Sequence, residues 1–535
     1  VSHRYNYRYR VLIPTAGTGS RLGNLTRYVN KSLVSIANRP VLSHVIEQFP
    51  DDVEFVIALG YKGHLVQEFL EIAYPNRQFF FVKVDPFDGL GSGLGLSMLL
   101  CKEYLQEPFI FISCDTLVRE PIPALDQNWM GYAELSLLDL EQYRTLKIET
   151  GKVTTICEKG KGSGKCSEHI YKQYIGLAGI MDYRRFWQTM EEGRDEAIVA
   201  GEVYGMCNLL NIGVKAYQFT WYDTGNPDVL TKTREAYKEL DAPNILEKAN
   251  EAIWFVGDHV IKFSDDKHFI ANRVKRADAL KDFVPKVTES RMHMYCYPKV
   301  EGKILSEIVT LPLFDKLLKY SRIFWEPSIL SLSEQKDFNN VCMCFYRDKT
   351  KERVELFYKN FDKKDGTETI NGINVPTLDD LLDILDWDWL TQGQVGRFHG
   401  DFHFENILYS EEDKRFIFLD WRQDFGGYLD VGDIYYDLAK LNHGLIISHE
   451  LIAKNMFSIR WDNDTICYDF HRKHILVECE RKFEGWLKQN GYDDRKVRIM
   501  TALIYLNIAA LHHYPYCLLL YALGKIMLKQ ELEKL

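Results

Sequence analysis

Between Tyr9 and Asp115 short apolar runs alternate with amphipathic stretches, and this alternation restricts the fold more than any other feature of the chain. Tyr9 to Ile13, Phe55 to Leu59, Phe79 to Val84 and Phe109 to Ile112 have strand length. Val41, Leu42, Val45, Ile46 and Phe49, then Leu65, Val66, Phe69 and Leu70, recur at helical spacing, and Leu94 to Leu105 reads as a further helix. Strands that alternate with helices predict a doubly wound, mostly parallel sheet, whose ligands bind beyond the carboxyl ends of the strands. The glycine turn within Pro14 to Leu22 and the segment Ser113-Cys114-Asp115 both fall on that edge.

A glycine-rich turn after a strand lets backbone N–H groups approach phosphates closely. Leu22, three residues after Gly19, breaks the dinucleotide fingerprint. Arg21 and Lys31 instead supply two cations, which suit a triphosphate better than a neutral nicotinamide. Farther on, Gly160 to Cys166 is similar to a phosphate loop, but Lys159 replaces the first glycine and neither Ser nor Thr follows Lys165, so it reads as a basic hairpin loop.

The whole set of motifs in the first half resembles the sugar-phosphate nucleotidyltransferases. It comprises Gly17-Thr18-Gly19-Ser20-Arg21-Leu22, Lys31, Pro86 to Leu90, Asp115, Glu158-Lys159, Gly176 to Ile180 and Trp221 to Pro227. Two positions depart from the usual pattern, with Asn30 and Gly160 where many members have Pro. The resemblance implies that Gly17, Thr18, Gly19 and Ser20 cradle the nucleotide, that Arg21 and Lys31 hold its triphosphate, and that Gly89 lies against the base. Lys159 is then expected to hold the acceptor phosphate, and Asp115 and Asp223 to hold Mg2+.

The second half centres on His399-Gly400-Asp401-Phe402-His403-Phe404-Glu405-Asn406, followed by Ile417 to Arg422. A loop Asp, an Asn five residues on and an Asp at a strand end are what phosphoryl transfer from ATP uses. This segment, with Gly432 to Lys440 beyond it, resembles the aminoglycoside phosphotransferase and choline kinase family. The resemblance implies Asp401 as the base, Asn406 and Asp420 as magnesium ligands, and Lys262 as the ATP-phosphate lysine. His399 and His403 read as loop-ordering residues, and Asp437 as a residue that fixes the Asp loop or a helix. In such kinases the helix after the lysine usually carries a Glu; Ile270 to Leu280 shows Asn272, Arg273, Lys275 and Arg276 instead.

The expected organisation is a nucleotidyltransferase domain over residues 1–240, joined by the break at Asp241 to Asn244 to a small-molecule kinase domain over 245–535. The kinase part is expected to be bilobal and protein-kinase-like, with a strand-rich lobe over about 245–300 and a helical lobe beyond. With 535 residues, 46% of them hydrophobic, the chain can bury such cores. A net charge of -10 argues against a nucleic-acid partner. The scattered cysteines give no zinc pattern, and the chain reads as cytoplasmic with no membrane span.

The product of a kinase fits the acceptor slot of a nucleotidyltransferase. The expected activity is therefore bifunctional: ATP phosphorylates a small alcohol, favoured to be a sugar, and a second NTP then converts the monoester into an NDP-linked precursor for surface polysaccharide. Two alternatives stand beside it. One is an amino-alcohol or choline kinase fused to a cytidylyltransferase, with Trp387, Trp389, Trp421, Tyr428 and Tyr435 as candidates for an aromatic cage. The other is that one half is an inactive nucleotide-binding regulatory module.

Overall fold

The computed structural model describes residues 9–134, 143–158, 171–238 and 248–534. It divides into two compact units, Val1–Ile270 with Thr288–Lys299, and Ala271–Val287 with Val300–Leu535. The expected join at Asp241 to Asn244 lies outside the described residues.

In the first unit the alternation folds as its pattern predicts. Strands Arg10–Pro14, Glu54–Leu59, Phe79–Lys83 and Phe109–Ile112 run parallel in the order third, second, first, fourth. The sheet then continues in mixed orientation through Tyr171–Ile180, Trp129–Ala133, Lys215–Gln218, Lys152–Cys157 and Thr145–Glu149. Successive strand residues point to opposite faces. Val11, Ile13, Phe55, Ile57, Ile110 and Ile112 enter one core with helices Val41–Ile46 and Gly63–Ala73. Leu12, Val56, Ala58, Phe109 and Phe111 enter a second core with Leu94–Cys101, Tyr183–Glu192 and Glu202–Leu209. A sheet buried on both faces needs these nearly unbroken apolar strands.

A four-stranded antiparallel sheet, with Glu251–Val256 and His259–Ser264 followed by Met294–Pro298 and the edge strand Glu289–Ser290, belongs to the same unit. Trp254, Val256, Ile261, Phe263, Met294 and Cys296 share the core of helix Gly63–Ala73. Trp254 packs edge-on to Phe69 with centroids 5.3 Å apart, and its Nε1 donates to Ser35 Oγ at 2.9 Å. At the rim Glu68 accepts from the His293 amide at 2.9 Å, and Arg291 pairs with Glu71 at 3.2 Å.

The second unit is mainly helical, built from Leu311–Phe324, Leu332–Met343, Lys349–Asn360, Ile434–Ile446, His474–Gln489, Asp494–Ala509 and Tyr516–Leu532. The hairpin Ile407–Ser410 and Arg415–Phe418 carries the loops of the candidate site at its ends. Among the described residues no helix is long and apolar enough to cross a membrane. Lys525 is fully buried, pairs with Glu368 and Asp365, and donates to the Gly366 carbonyl at 2.7 Å. Lys525→Met leaves the buried Glu368 carboxylate without its counter-charge, while Asp365 keeps its bonds from the Leu378 and Asp379 amides, so it is expected to destabilise this unit by about 3 kcal/mol, measured by denaturant unfolding.

Candidate active sites

In the first unit the glycine turn is shaped by steric need. Gly19 has φ +65°, and a Cβ there would lie 2.8 Å from the Lys31 Cβ, so only glycine lets the turn approach the lysine. A Cβ at Gly17 would meet nothing within 4 Å, which leaves room above the backbone; Thr18 and Ser20 lie in the same turn. Asn30 is fully buried and orders the lysine loop by side-chain bonds. Its Nδ2 donates to the Thr15 and Tyr61 carbonyls at 2.9 and 2.6 Å, and its Oδ1 accepts from the Ser32 amide.

Lys31 Nζ lies 2.9 Å from Asp115 Oδ2, and Ser113 Oγ donates to the other oxygen. Burial pushes the Asp115 pKa up, but Lys31, Ser113 and Arg21 outweigh it and hold the group down to about 2. Asp223 is delivered by strand Trp221–Asp223, which pairs antiparallel with Thr116–Val118 and sets Asp223 opposite Thr116. Its carboxylate accepts from the Gly225 amide at 2.8 Å and from Tyr143 Oη at 2.9 Å. Burial and the Asp115 charge push its pKa up. A Cβ placed on Gly225 would lie 3.0 Å from Asp223 Oδ1, 3.5 Å from Arg21 Nη2 and 3.6 Å from Asp115 Oδ2. Two carboxylates and a guanidinium thus converge on a glycine that leaves space among them. Mutually repelling carboxylate oxygens around a glycine fit a hard divalent cation.

Gly89 has φ +79° in an exposed loop, where Leu90 is fully exposed. Gly60 brings that loop to the glycine turn, since a Cβ on Gly60 would stand 2.5 Å from the Ala16 carbonyl and 2.7 Å from the Phe87 Cβ. Lys159 and the loop Gly160 to Cys166 lie outside the described residues.

In the second unit Asp437 anchors the Asp loop. Its carboxylate accepts from the His399 and Gly400 amides at 2.6 and 2.7 Å and from Trp325 Nε1 at 3.0 Å. His399 is buried and bonded through Nε2 to the Leu419 carbonyl; burial pushes its pKa down to about 3, which makes it a neutral brace. Asp401 Oδ1 pairs with Lys440 Nζ at 2.9 Å, while Oδ2 accepts from Asn406 Nδ2 at 3.0 Å and faces His403 Nε2 at 3.4 Å. Burial opposes the charge, yet Lys440 and His403 hold the Asp401 pKa well below the usual range. His403 in turn sits between Asp401 and Glu405, which overcome its burial and raise it to about 9. Because Asn406 turns Nδ2 to Asp401, its Oδ1 faces the other way, as a cation ligand must.

Asp420, at φ +57°, pairs with Arg273, and 38% of its side chain remains exposed. The helix expected to supply a Glu therefore supplies arginines: Arg273 meets Asp420, and the buried Arg276 donates to the Phe398 carbonyl and stacks 4.0 Å over the Phe398 ring. Oxygen donors at Asn406 and Asp420 fit magnesium in type, with Arg273 as a competitor for Asp420. Lys262 is buried in the second strand of the antiparallel sheet, in register with Ile253 and Tyr295, and belongs to the first unit.

The family model for the phosphotransferase enzyme family matches residues 355–448, the span that holds Asp401, Asn406, Asp420 and Lys440. A "Bifunctional protein GlmU" from Methanocaldococcus jannaschii is 27% identical over 256 residues, 47% of this chain and 60% of that protein. A glucose-1-phosphate cytidylyltransferase from Salmonella typhi is 24% identical over 181 residues, 29% of this chain and 70% of that one. The N-terminal region is similar to sugar-phosphate nucleotidyltransferases, and a phosphotransferase-family domain follows it. The chain spans 52–60% of the length of the GlmU proteins it matches. Among solved structures, a glucose-1-phosphate thymidylyltransferase from Bacillus anthracis aligns with a TM-score of 0.37 and 17% identity, over 45% of this chain and 98% of that one.

In the nucleotidyltransferase-like region, sequence reasoning missed Tyr143 and Gly60 as site-forming positions, and took Gly225 only as part of the motif Trp221 to Pro227. In the phosphotransferase domain it missed Lys440, although the i, i+3 spacing from Asp437 on one helix was a signal. A cavity of about 680 Å³ also opens in this domain, lined by Phe345, Lys349, Arg353, Arg422, Glu352 and Asp424 among others. Burial, then the charges of Arg422, Arg353 and Lys440, push the Lys349 pKa down to about 7, against the opposing pull of Asp424. A lysine depressed in the folded state carries a penalty that is full below about pH 7 and fades as pH rises toward its unfolded value of about 10.4. Lys349→Met is thus expected to stabilise the protein by about 2 kcal/mol at pH 6, after allowance for solvent screening, and to match wild type near pH 10.5 in denaturant titrations.

Proposed function

We propose that the chain is a bifunctional transferase that phosphorylates a small alcohol with ATP and then joins the monoester to a nucleotide. In the first step the alcohol oxygen bonds to the γ-phosphorus, the bond from that phosphorus to the β,γ-bridging oxygen breaks, and ADP leaves. The hydroxyl proton passes to the Asp401 carboxylate, which Lys440 and His403 keep ionised and Asn406 orients.

In the second step an oxygen of the monoester attacks the α-phosphorus of a second NTP, and pyrophosphate leaves. The nucleophile is already an anion, so no base is needed; the enzyme must align two polyanions and offset their repulsion. The amides of Gly17 to Ser20 with Arg21 and Lys31 hold the triphosphate, Lys159 the monoester, and the Gly89 loop the base. Asp115 with Asp223, and Asn406 with Asp420, would hold magnesium, which when bound would supply neutralising charge at the phosphates.

What supports this reading most is the convergence of Asp115, Asp223 and Arg21 on Gly225, in the same chain as an ionised loop Asp401 bonded to Asn406. The favoured acceptor is a sugar, which gives an NDP-sugar-type precursor for surface polysaccharide. The test supplies magnesium, ATP, each other NTP and a panel of polyols and amino alcohols, and follows ADP and pyrophosphate. Both are expected only when an alcohol is present, with pyrophosphate lagging ADP; pyrophosphate release that does not depend on ATP and alcohol contradicts the coupling.

A further inference from the structure

The cavity that Arg422 lines reaches the Asp loop, because the Arg422 amide donates to the His399 carbonyl at 2.9 Å. Lys349 Nζ and the Arg422 guanidinium stand 4.4 and 4.8 Å from the centre of the same ring, Phe345. Arg353 joins them on the wall, and none of the three has an ion-pair partner among the described residues, although Glu352 and Asp424 also line the cavity. Arg422 Nε is held instead by the Asp424 backbone carbonyl at 3.0 Å. The wall is built by a π-helical turn, Cys344–Asp348, that runs directly into helix Lys349–Asn360. Such turns are rare and recur at functional sites. Lys440, paired with Asp401 Oδ1, continues the positive side toward the base.

We propose that this cavity binds an anionic group on the acceptor, so that the alcohol phosphorylated is a carboxylate- or phosphate-bearing polyol or sugar. The inference rests on the kinase reading above. Lys349, Arg353 and Arg422 outnumber the two carboxylates Glu352 and Asp424 in the lining, so the cavity carries an excess of positive charge, and a bound anion gains charge-assisted bonds from several donors at once. The cations also offset repulsion between an anionic acceptor and the ATP phosphates. The aromatics available for a cationic acceptor are engaged elsewhere: Trp421 donates to the Arg273 carbonyl, Trp387 to the Leu382 carbonyl, Tyr435 Oη accepts from the Asp493 amide, Trp389 faces Arg495, and Tyr428 packs on Phe338.

The test uses the full chain with magnesium and matched pairs: gluconate against sorbitol, glucose 6-phosphate against glucose, and choline as the cationic arm. Turnover is read as monoester formation, and binding by calorimetry with a non-hydrolysable ATP analogue. The anionic members are expected to bind and react at least about tenfold better than their neutral partners. The gluconate and glucose 6-phosphate arms decide between carboxylate and phosphate. Lys349→Met is expected to raise KM for the preferred anion by about tenfold or more, with a much smaller change in kcat, and Lys349→Arg to restore it. Equal or better use of neutral polyols or choline overturns the proposal and leaves the kinase reading standing. Lys349-dependent anion binding without any monoester keeps the anion site and overturns the kinase reading. Absence of anion binding in a folded wild-type protein overturns the proposal.

Discussion

Asp401→Asn is expected to lower ATP-dependent monoester formation by about 10²–10⁴-fold while nucleotidyl transfer to a supplied monoester continues. Asn preserves the shape of the side chain and one acceptor oxygen but cannot take the alcohol proton. The loop around it is held by groups that the substitution does not touch: Asp437 accepts from the His399 and Gly400 amides, and His399 braces the Leu419 carbonyl. A folded, inactive kinase is the expected state, checked by ADP release together with thermal unfolding. Loss of both activities with an unchanged melting curve contradicts the assignment of separate sites.

Asp115→Asn is expected to do the reverse, lowering nucleotidyl transfer by about 10²-fold or more while leaving phosphorylation intact. Asp115 both faces Asp223 across Gly225 and keeps Lys31 charged and in place at 2.9 Å. Its removal takes away one anionic ligand and frees the lysine that positions the triphosphate. Pyrophosphate release from NTP and a supplied sugar phosphate measures the first activity, and ADP release the second. A variant that retains nucleotidyl transfer shows that the Asp115–Asp223 pair is not the reacting centre.

Much of the first unit was legible because its constraints are local. Strands buried on both faces must be nearly all apolar, so Glu54–Leu59 and Phe109–Ile112 announce themselves, and a turn that admits only glycine at position 19 leaves a mark in sequence. The Asp401–Asn406 spacing likewise reflects one short loop. What sequence spacing could not convey is pairing across long separations. The approach of Tyr143 to Asp223 and of Arg273 to Asp420 depends on how distant segments close. The helix Lys267–Leu280 illustrates the difference: absence of a Glu was visible, whereas the use of its arginines at Asp420 and Phe398 required the fold. The packing of Trp254 on Phe69 is hidden for the same reason, since strand and helix are far apart in the chain.

The central claim is that one phosphoryl group passes through both sites of the chain. The most direct measurement supplies ATP carrying oxygen-18 on the non-bridging γ-phosphoryl oxygens, an unlabelled second NTP, magnesium and the preferred alcohol, and locates the label by its isotope shift in phosphorus NMR. The label is expected first in the monoester and then in the nucleotide-linked product, on the phosphorus bonded to the acceptor, with unlabelled pyrophosphate released. Label that stops at the monoester while unlabelled product accumulates, or that emerges in pyrophosphate, contradicts the two-step account.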